Sequence, residues 1–278
     1  MTEMSAEQLH KLAECHLRDF VRTIHNLVVI DGVKFDLIIG PGNSGLVMLK
    51  ITELIFDHCK WKFPPQLKLP IQRYMKGTDG ELHNNISLMP CAKEQMHGIS
   101  SLTNVLFVDD EMGKGTTVKA SLALMRAAAN SKLLKLSYEQ NHCHIVVELR
   151  DWPLSFGIPV VRPFIHHFAT MSNLHRNKVI VNYLRPPAIL DDIEKFLKSL
   201  DTDNEKFGDK CLNIALGTQS KVYDHNLDVP PVFTEQLNEK AKAKLPGLDD
   251  IRANFRDYLS ELIKEALDTA SKSKDNKY

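Results

Sequence analysis

Val105-Leu-Phe-Val-Asp-Asp-Glu-Met-Gly-Lys-Gly-Thr-Thr117 joins an apolar run, two adjacent carboxylates and a glycine–threonine loop, and a helical pattern resumes at Val118. A short run of branched and aromatic residues bounded by turn signals reads as a strand buried on both faces. The carboxyl end of such a strand in a parallel sheet projects its side chains into the crevice where these sheets bind ligands. Asp109 and Asp110, placed there, accept hydrogen bonds from vicinal sugar hydroxyls. Lys114 to Thr117 suit a phosphate, because successive N–H groups, hydroxyls and the positive end of the following helix converge on one anion. Glycine lets the backbone approach closely. A diol reader directly followed by a phosphate cradle describes a ribose 5'-phosphate. The plainer alternative for the acid pair is a solvated strand end that caps a helix, and the glycine–threonine loop counts against it.

The pattern around this segment repeats its logic. Residues 6–27 carry Leu9, Leu12, Ala13, Leu17, Phe20, Val21 and Ile24 at three- and four-residue steps, the signature of an amphipathic helix leaning on a sheet. Phe35 to Ile39 is a short apolar strand, Gly40-Pro-Gly-Asn-Ser-Gly45 a tight loop, and Leu46 to Phe56 a helix. Leu67 to Tyr74 is a second strand, followed by a polar stretch from Lys76 to Thr103 with little periodicity. His144 to Leu149, Val160 to Phe164 and Val179 to Leu184 are further strand candidates, so strands alternate with helices over roughly residues 30–185 and predict an α/β domain with a mostly parallel sheet flanked by helices. After Arg185-Pro-Pro187 the chain turns to charged amphipathic helices at 189–200, 233–245 and 251–270 and ends in a polar tail. The expected division is an α/β domain at 1–186 and a helical accessory region at 187–278.

The central segment resembles the signature of the type I phosphoribosyltransferases, in which four apolar residues precede two acidic ones, three variable ones and a Thr-Gly-Gly-Thr-like phosphate loop. The resemblance implies that Asp109 and Asp110 hold the ribose 2'- and 3'-hydroxyls and that Gly113, Lys114, Gly115, Thr116 and Thr117 hold the 5'-phosphate. Lys114 stands where the family usually has a hydroxyl residue. Phe35 to Gly45 looks like the family's diphosphate loop, with Ser44 and Gly45 offering amides. That loop often carries a basic residue, and here it has none, so neutralisation falls to Mg²⁺, with Asp109 and Asp110 as its indirect holders, and to groups elsewhere, of which Arg73 and Lys76 are candidates. The stretch 76–103 lies where the family keeps a mobile hood loop. Trp152 either stacks on an aromatic base near the ribose or lids the core.

The implied fold is flavodoxin-like in winding. The implied reaction transfers a 5-phosphoribosyl group from phosphoribosyl diphosphate to a nitrogen acceptor, expected to be a nucleobase, and releases diphosphate. Family members acting on 6-oxopurines place a carboxylate where this chain has Gly113, so the acceptor base is unassigned. Some relatives of this type bind the ligand only to regulate, and that alternative stays open. A further rival is a receiver domain, since Val-Asp-Asp-Glu also opens those and Asp151 stands at a fitting distance for the phosphoacceptor; Gly113 and Gly115 break the helix-favouring stretch a receiver needs.

Composition narrows the partners. Thirty-five Lys plus Arg balance 35 Asp plus Glu, so no global field argues for nucleic acid or an anionic membrane. Five widely spaced cysteines without a CxxC pair read as reduced thiols in a cytoplasmic protein. The N-terminal stretch lacks an apolar h-region, and no apolar run is long enough to span a bilayer. His142 and His144 flank Cys143 and His166-His167 follow an apolar run, which invites a metal reading; strand alternation explains the first group as well, no fourth ligand has metal-site spacing, and the structural reading is preferred. The helical region is expected to cover the site or to form a homodimer contact.

Overall fold

A computed structural model describes residues 4–69, 89–99, 102–112, 115–129, 142–149, 162–170, 178–200, 207–218 and 234–275. Arg73, Lys76, Gly113, Lys114, Asp151, Trp152 and most of the stretch 76–103 lie outside the described residues.

The first helix, α1 (Ala6–Val29), starts at a capping box in which the Ser5 hydroxyl accepts from the Gln8 amide and the Gln8 side chain accepts from the Ser5 amide. Its buried stripe of Leu9, Ala13, Leu17, Phe20, Val21, Ile24 and Leu27 follows the three- and four-residue steps of the sequence. Five strands follow among the described residues: β1 (Leu37–Pro41), β2 (Gln66–Leu69), β3 (Asn104–Met112), β4 (His142–Leu149) and β5 (Arg162–Thr170). They form one sheet in the order β2-β1-β3-β4-β5, and every neighbouring pair is parallel. This is a doubly wound order, whose reversal point lies between β1 and β3.

Alternation along the strands sends residues to two cores. Leu37, Ile39, Val105, Phe107, Ile145 and Val147 pack with α3 (residues 89–95) and α4 (Thr116–Ala128). Ile38, Leu106, Val108 and Val146 pack on the other face with α1, α2 (Gly42–His58) and α5 (Val179–Tyr183). The same second core takes in α6 (Pro187–Ser199), α7 (Phe207–Leu216), α8 (Thr234–Lys244) and α9 (Leu248–Asp275), through residues such as Leu197, Leu212, Ala241 and Phe255. One apolar core therefore runs across the compositional break at residue 186.

Four local expectations are corrected. Residues 179–184 form a helix rather than a strand: Val179, Ile180, Val181 and Leu184 are fully buried, and a short apolar run reads the same in either conformation. The helix after β1 begins at Gly42, not Leu46, so most of the expected loop is its first turn. Residues 89–95, read as loop, are helical and bury Ala92. Finally α7 falls in a stretch read as a connection. No helix among the described residues is long and apolar enough to cross a membrane.

Candidate functional site

The turn from β1 into α2 is shaped by proline and glycine. Pro41 occupies the N-cap position in an extended conformation, and no side chain caps the helix. The amides of Gly42, Asn43 and Ser44 are those that helix geometry leaves without an intrahelical acceptor. Gly40 and Gly45 meet directly: a Cβ on Gly45 would lie 2.5 Å from Pro41 Cδ, and one on Gly40 would lie 2.6 Å from the Gly45 carbonyl oxygen. Strand end and helix therefore touch backbone to backbone, which fixes where the Ser44 hydroxyl points.

Beside this turn, β3 contains an extra residue. Its pairing with β4 steps from Val108 opposite Val146 to Glu111 opposite Glu148, so three residues of β3 run against two of β4. The bulge holds Asp109 and Asp110, which are only 4% and 1% exposed. Asp109 Oδ1 accepts from the Ser44 hydroxyl at 3.0 Å and from the Asp110 amide at 2.9 Å. Neither carboxylate oxygen of Asp110 has a hydrogen-bond partner among the described residues. Burial and the neighbouring Asp110 charge hold the Asp109 carboxyl well above the usual carboxylate range. Burial also raises Asp110, against the pull of Lys178.

Lys178 was not singled out from the sequence. Its Nζ donates to the Ser44 hydroxyl at 3.2 Å and lies 3.5 Å from Asp209 Oδ2 and 3.9 Å from Asp110 Oδ1. Its backbone is left-handed, with φ 59°, unusual for a residue with a Cβ. The reason lies next door, where Glu148 Oε2 accepts from the Val179 amide at 3.1 Å and Glu148 Oε1 stands 3.0 Å from His16 Nδ1 of α1. The start of α5 is thus fastened to β4, and the lysine ahead of it is turned toward the acids. The helix α7 closes the group: Asp209 reaches Lys178, and the Asn213 side chain donates to the Asn43 carbonyl at 3.1 Å.

On the opposite face, α4 begins at Gly115, which is left-handed at φ 72° and again provides no side-chain cap. Thr116 is exposed, and Thr117 is half-buried. The structure thus brings Ser44, Asp109 and Asp110 into contact and starts α4 a few residues beyond the end of β3. Lys178, Glu148, Asp209 and Asn213 are additions that sequence reading missed. Position gave no clue for them, although Asp209 in the first turn of α7 and Gly217 just past its end, at φ 60°, are ordinary helix boundary signals.

Among the described residues no group of three or more His, Cys, Asp or Glu side chains is arranged to hold a metal ion by itself. Mg²⁺ ordinarily binds through one or two carboxylates together with substrate phosphates. A buried Asp110 carboxylate whose oxygens accept no hydrogen bond among the described residues, beside Asp109, fits that mode. The histidines at the other end of the sheet pair among themselves: His144 Nδ1 lies 3.2 Å from His166 Nε2, their rings stacked. Burial, with the nearby His166 and His142, lowers His144 to about 4.

The chain matches no family model and no curated protein.

Proposed function

We propose that this chain is a phosphoribosyltransferase whose ligand occupies the crevice between the carboxyl ends of β1 and β3. One observation carries the reading. A buried acid pair lies in the β3 bulge at the strand-order reversal, with the N-termini of α2 and α4, which no side chain caps, following the same two strands. An anion site on either side of a hydrogen-bond-accepting pair suits a ligand with phosphates at both ends of a diol.

In this reading the ribose 2'- and 3'-hydroxyls donate to Asp109 and Asp110, whose carboxylates also face the positive charge that develops on the sugar. The amides at the start of α4 and the Thr117 hydroxyl take the 5'-phosphate. Ser44 and the first amides of α2 take the diphosphate. The bond from C1 to the diphosphate oxygen breaks with its electron pair leaving on diphosphate, the bond from C1 to the acceptor nitrogen forms, and that nitrogen loses its proton to solvent. Mg²⁺, when bound, supplies charge neutralisation on the diphosphate oxygens, and Asp109 and Asp110 are the side chains that would hold it, indirectly.

The test is incubation with phosphoribosyl diphosphate, Mg²⁺ and a panel of nucleobases, following diphosphate release. Release with one base supports the transferase and names the acceptor. Tight binding without release for any base supports a ligand-binding regulator instead, and absence of binding overturns both.

A further inference from the structure

The β1–α2 turn, Gly42-Asn43-Ser44, has no basic side chain, yet the reading above places a diphosphate there. Resting on that reading, we infer that Lys178 is the cation of the diphosphate site, supplied from the residue before α5 rather than from the turn itself. Its Nζ lies 3.2 Å from the hydroxyl of Ser44, the side chain assigned to the leaving group, and the Lys178 side chain is 24% exposed, so it meets both the buried acids and solvent.

The local arrangement explains how one lysine serves two charge states. Without ligand, the ammonium lies within ion-pair distance of Asp110 and Asp209. Asp110 is almost wholly buried and neither of its oxygens has a hydrogen-bond partner among the described residues, so a single ammonium at 3.9 Å leaves it under-satisfied there. Vicinal hydroxyls supply the missing donors. Once they do, the ammonium is released from part of its duty to Asp110 and turns its protons to the diphosphate oxygens beside Ser44. Binding of the diol and neutralisation of the leaving group are thereby linked through one side chain. The left-handed backbone of Lys178 and the hydrogen bond from the Val179 amide to Glu148 fix where the side chain starts. Glu148 is therefore a positioning residue for Lys178, with no contact of its own to the ligand.

Three ligands separate this role from a structural one: phosphoribosyl diphosphate with Mg²⁺, inorganic diphosphate with Mg²⁺, and ribose 5-phosphate. Calorimetry on Lys178→Met should show affinity for the two diphosphate ligands falling about ten- to a hundred-fold, the range for lost hydrogen bonds to charged groups. Ribose 5-phosphate should weaken only a few-fold, and Lys178→Arg should recover part of the diphosphate affinity. Equal losses for all three ligands, or none, overturn the inference while leaving the phosphoribosyltransferase reading standing. If the unsubstituted protein binds none of the three, that reading fails first. Should Lys178→Met not fold, amine acylation of the unsubstituted protein followed by mass spectrometry decides: Lys178 becomes protected when diphosphate and Mg²⁺ are added, and unchanged labelling at saturating ligand refutes the role.

Discussion

Acidification tests the histidine pair at the amino end of the sheet. His144 is 7% exposed and is held to about 4 by burial and by His166 and His142, against an ordinary value of 6.5. Because the folded value lies below the unfolded one, the unfolded chain carries the extra proton between these two values, and stability falls as pH drops through that window. At about pH 5 the linkage integral for a change from 6.5 to 4 gives a loss of about 2 kcal/mol relative to neutral pH. That is a sizeable part of the roughly 5–15 kcal/mol that holds a typical domain folded. The matching variant is His144→Phe, which keeps a ring beside Phe164 and Phe35 and removes the titration. Urea unfolding of both proteins at about pH 7.5 and about pH 5 gives two differences, and the loss in the unsubstituted protein should exceed that in the variant by about 2 kcal/mol. Asp109 works in the opposite sense, since a carboxyl held above its ordinary value gains stability on acidification, and it cancels because it is present in both proteins. Equal losses in the two proteins would refute the assignment.

Asp109→Asn keeps an oxygen to accept from Ser44 and removes a buried charge; unfolding should show it more stable by about 1 kcal/mol or more, while affinity for phosphoribosyl diphosphate falls. A simple helix-capping role predicts lower stability instead. Gly115→Val forces a branched side chain into a left-handed conformation, and Thr117→Val removes a hydroxyl; in calorimetry the ratio of affinities for ribose 5-phosphate over ribose should collapse in both, whereas an unchanged ratio in folded protein puts the phosphate elsewhere. Phe255→Ala in α9 should cost about 3–5 kcal/mol in a single unfolding transition, because the ring is fully buried in the core shared with the sheet. A separate early transition confined to the C-terminal helices would contradict the shared core.

Much of the architecture could be read ahead of the coordinates because strands between cores are uniformly apolar and their exits are marked by glycine. Val105 to Val108 and Phe35 to Ile39 announced β3 and β1 in this way, and the residues directly after them, in the β3 bulge and the first turn of α2, supply the acid pair and Ser44. What escaped reading had no local mark. Lys178 is one lysine among many, and only the meeting of β4, α5 and α7 gives it its neighbours. Val179 to Leu184 was misread because so short an apolar run carries too little periodicity to tell helix from strand. The division at residue 186 rests on a change in charge density, which reports solvent-facing residues, whereas the apolar stripes of the later helices join the same core as the sheet's second face.

The additional residue in β3 works as a parity switch. Val108 and Met112 are an even number of positions apart, yet they belong to opposite cores, so the strand changes its sense of inside and outside between them. Deleting one residue from 109–111 would leave Met112 three positions after Val108, on the opposite face by simple alternation as it is now, and the loss would fall on the acids' own partners. A library of single deletions through 104–112 should therefore show folded yield kept best within 109–111 and lost in the apolar run before it.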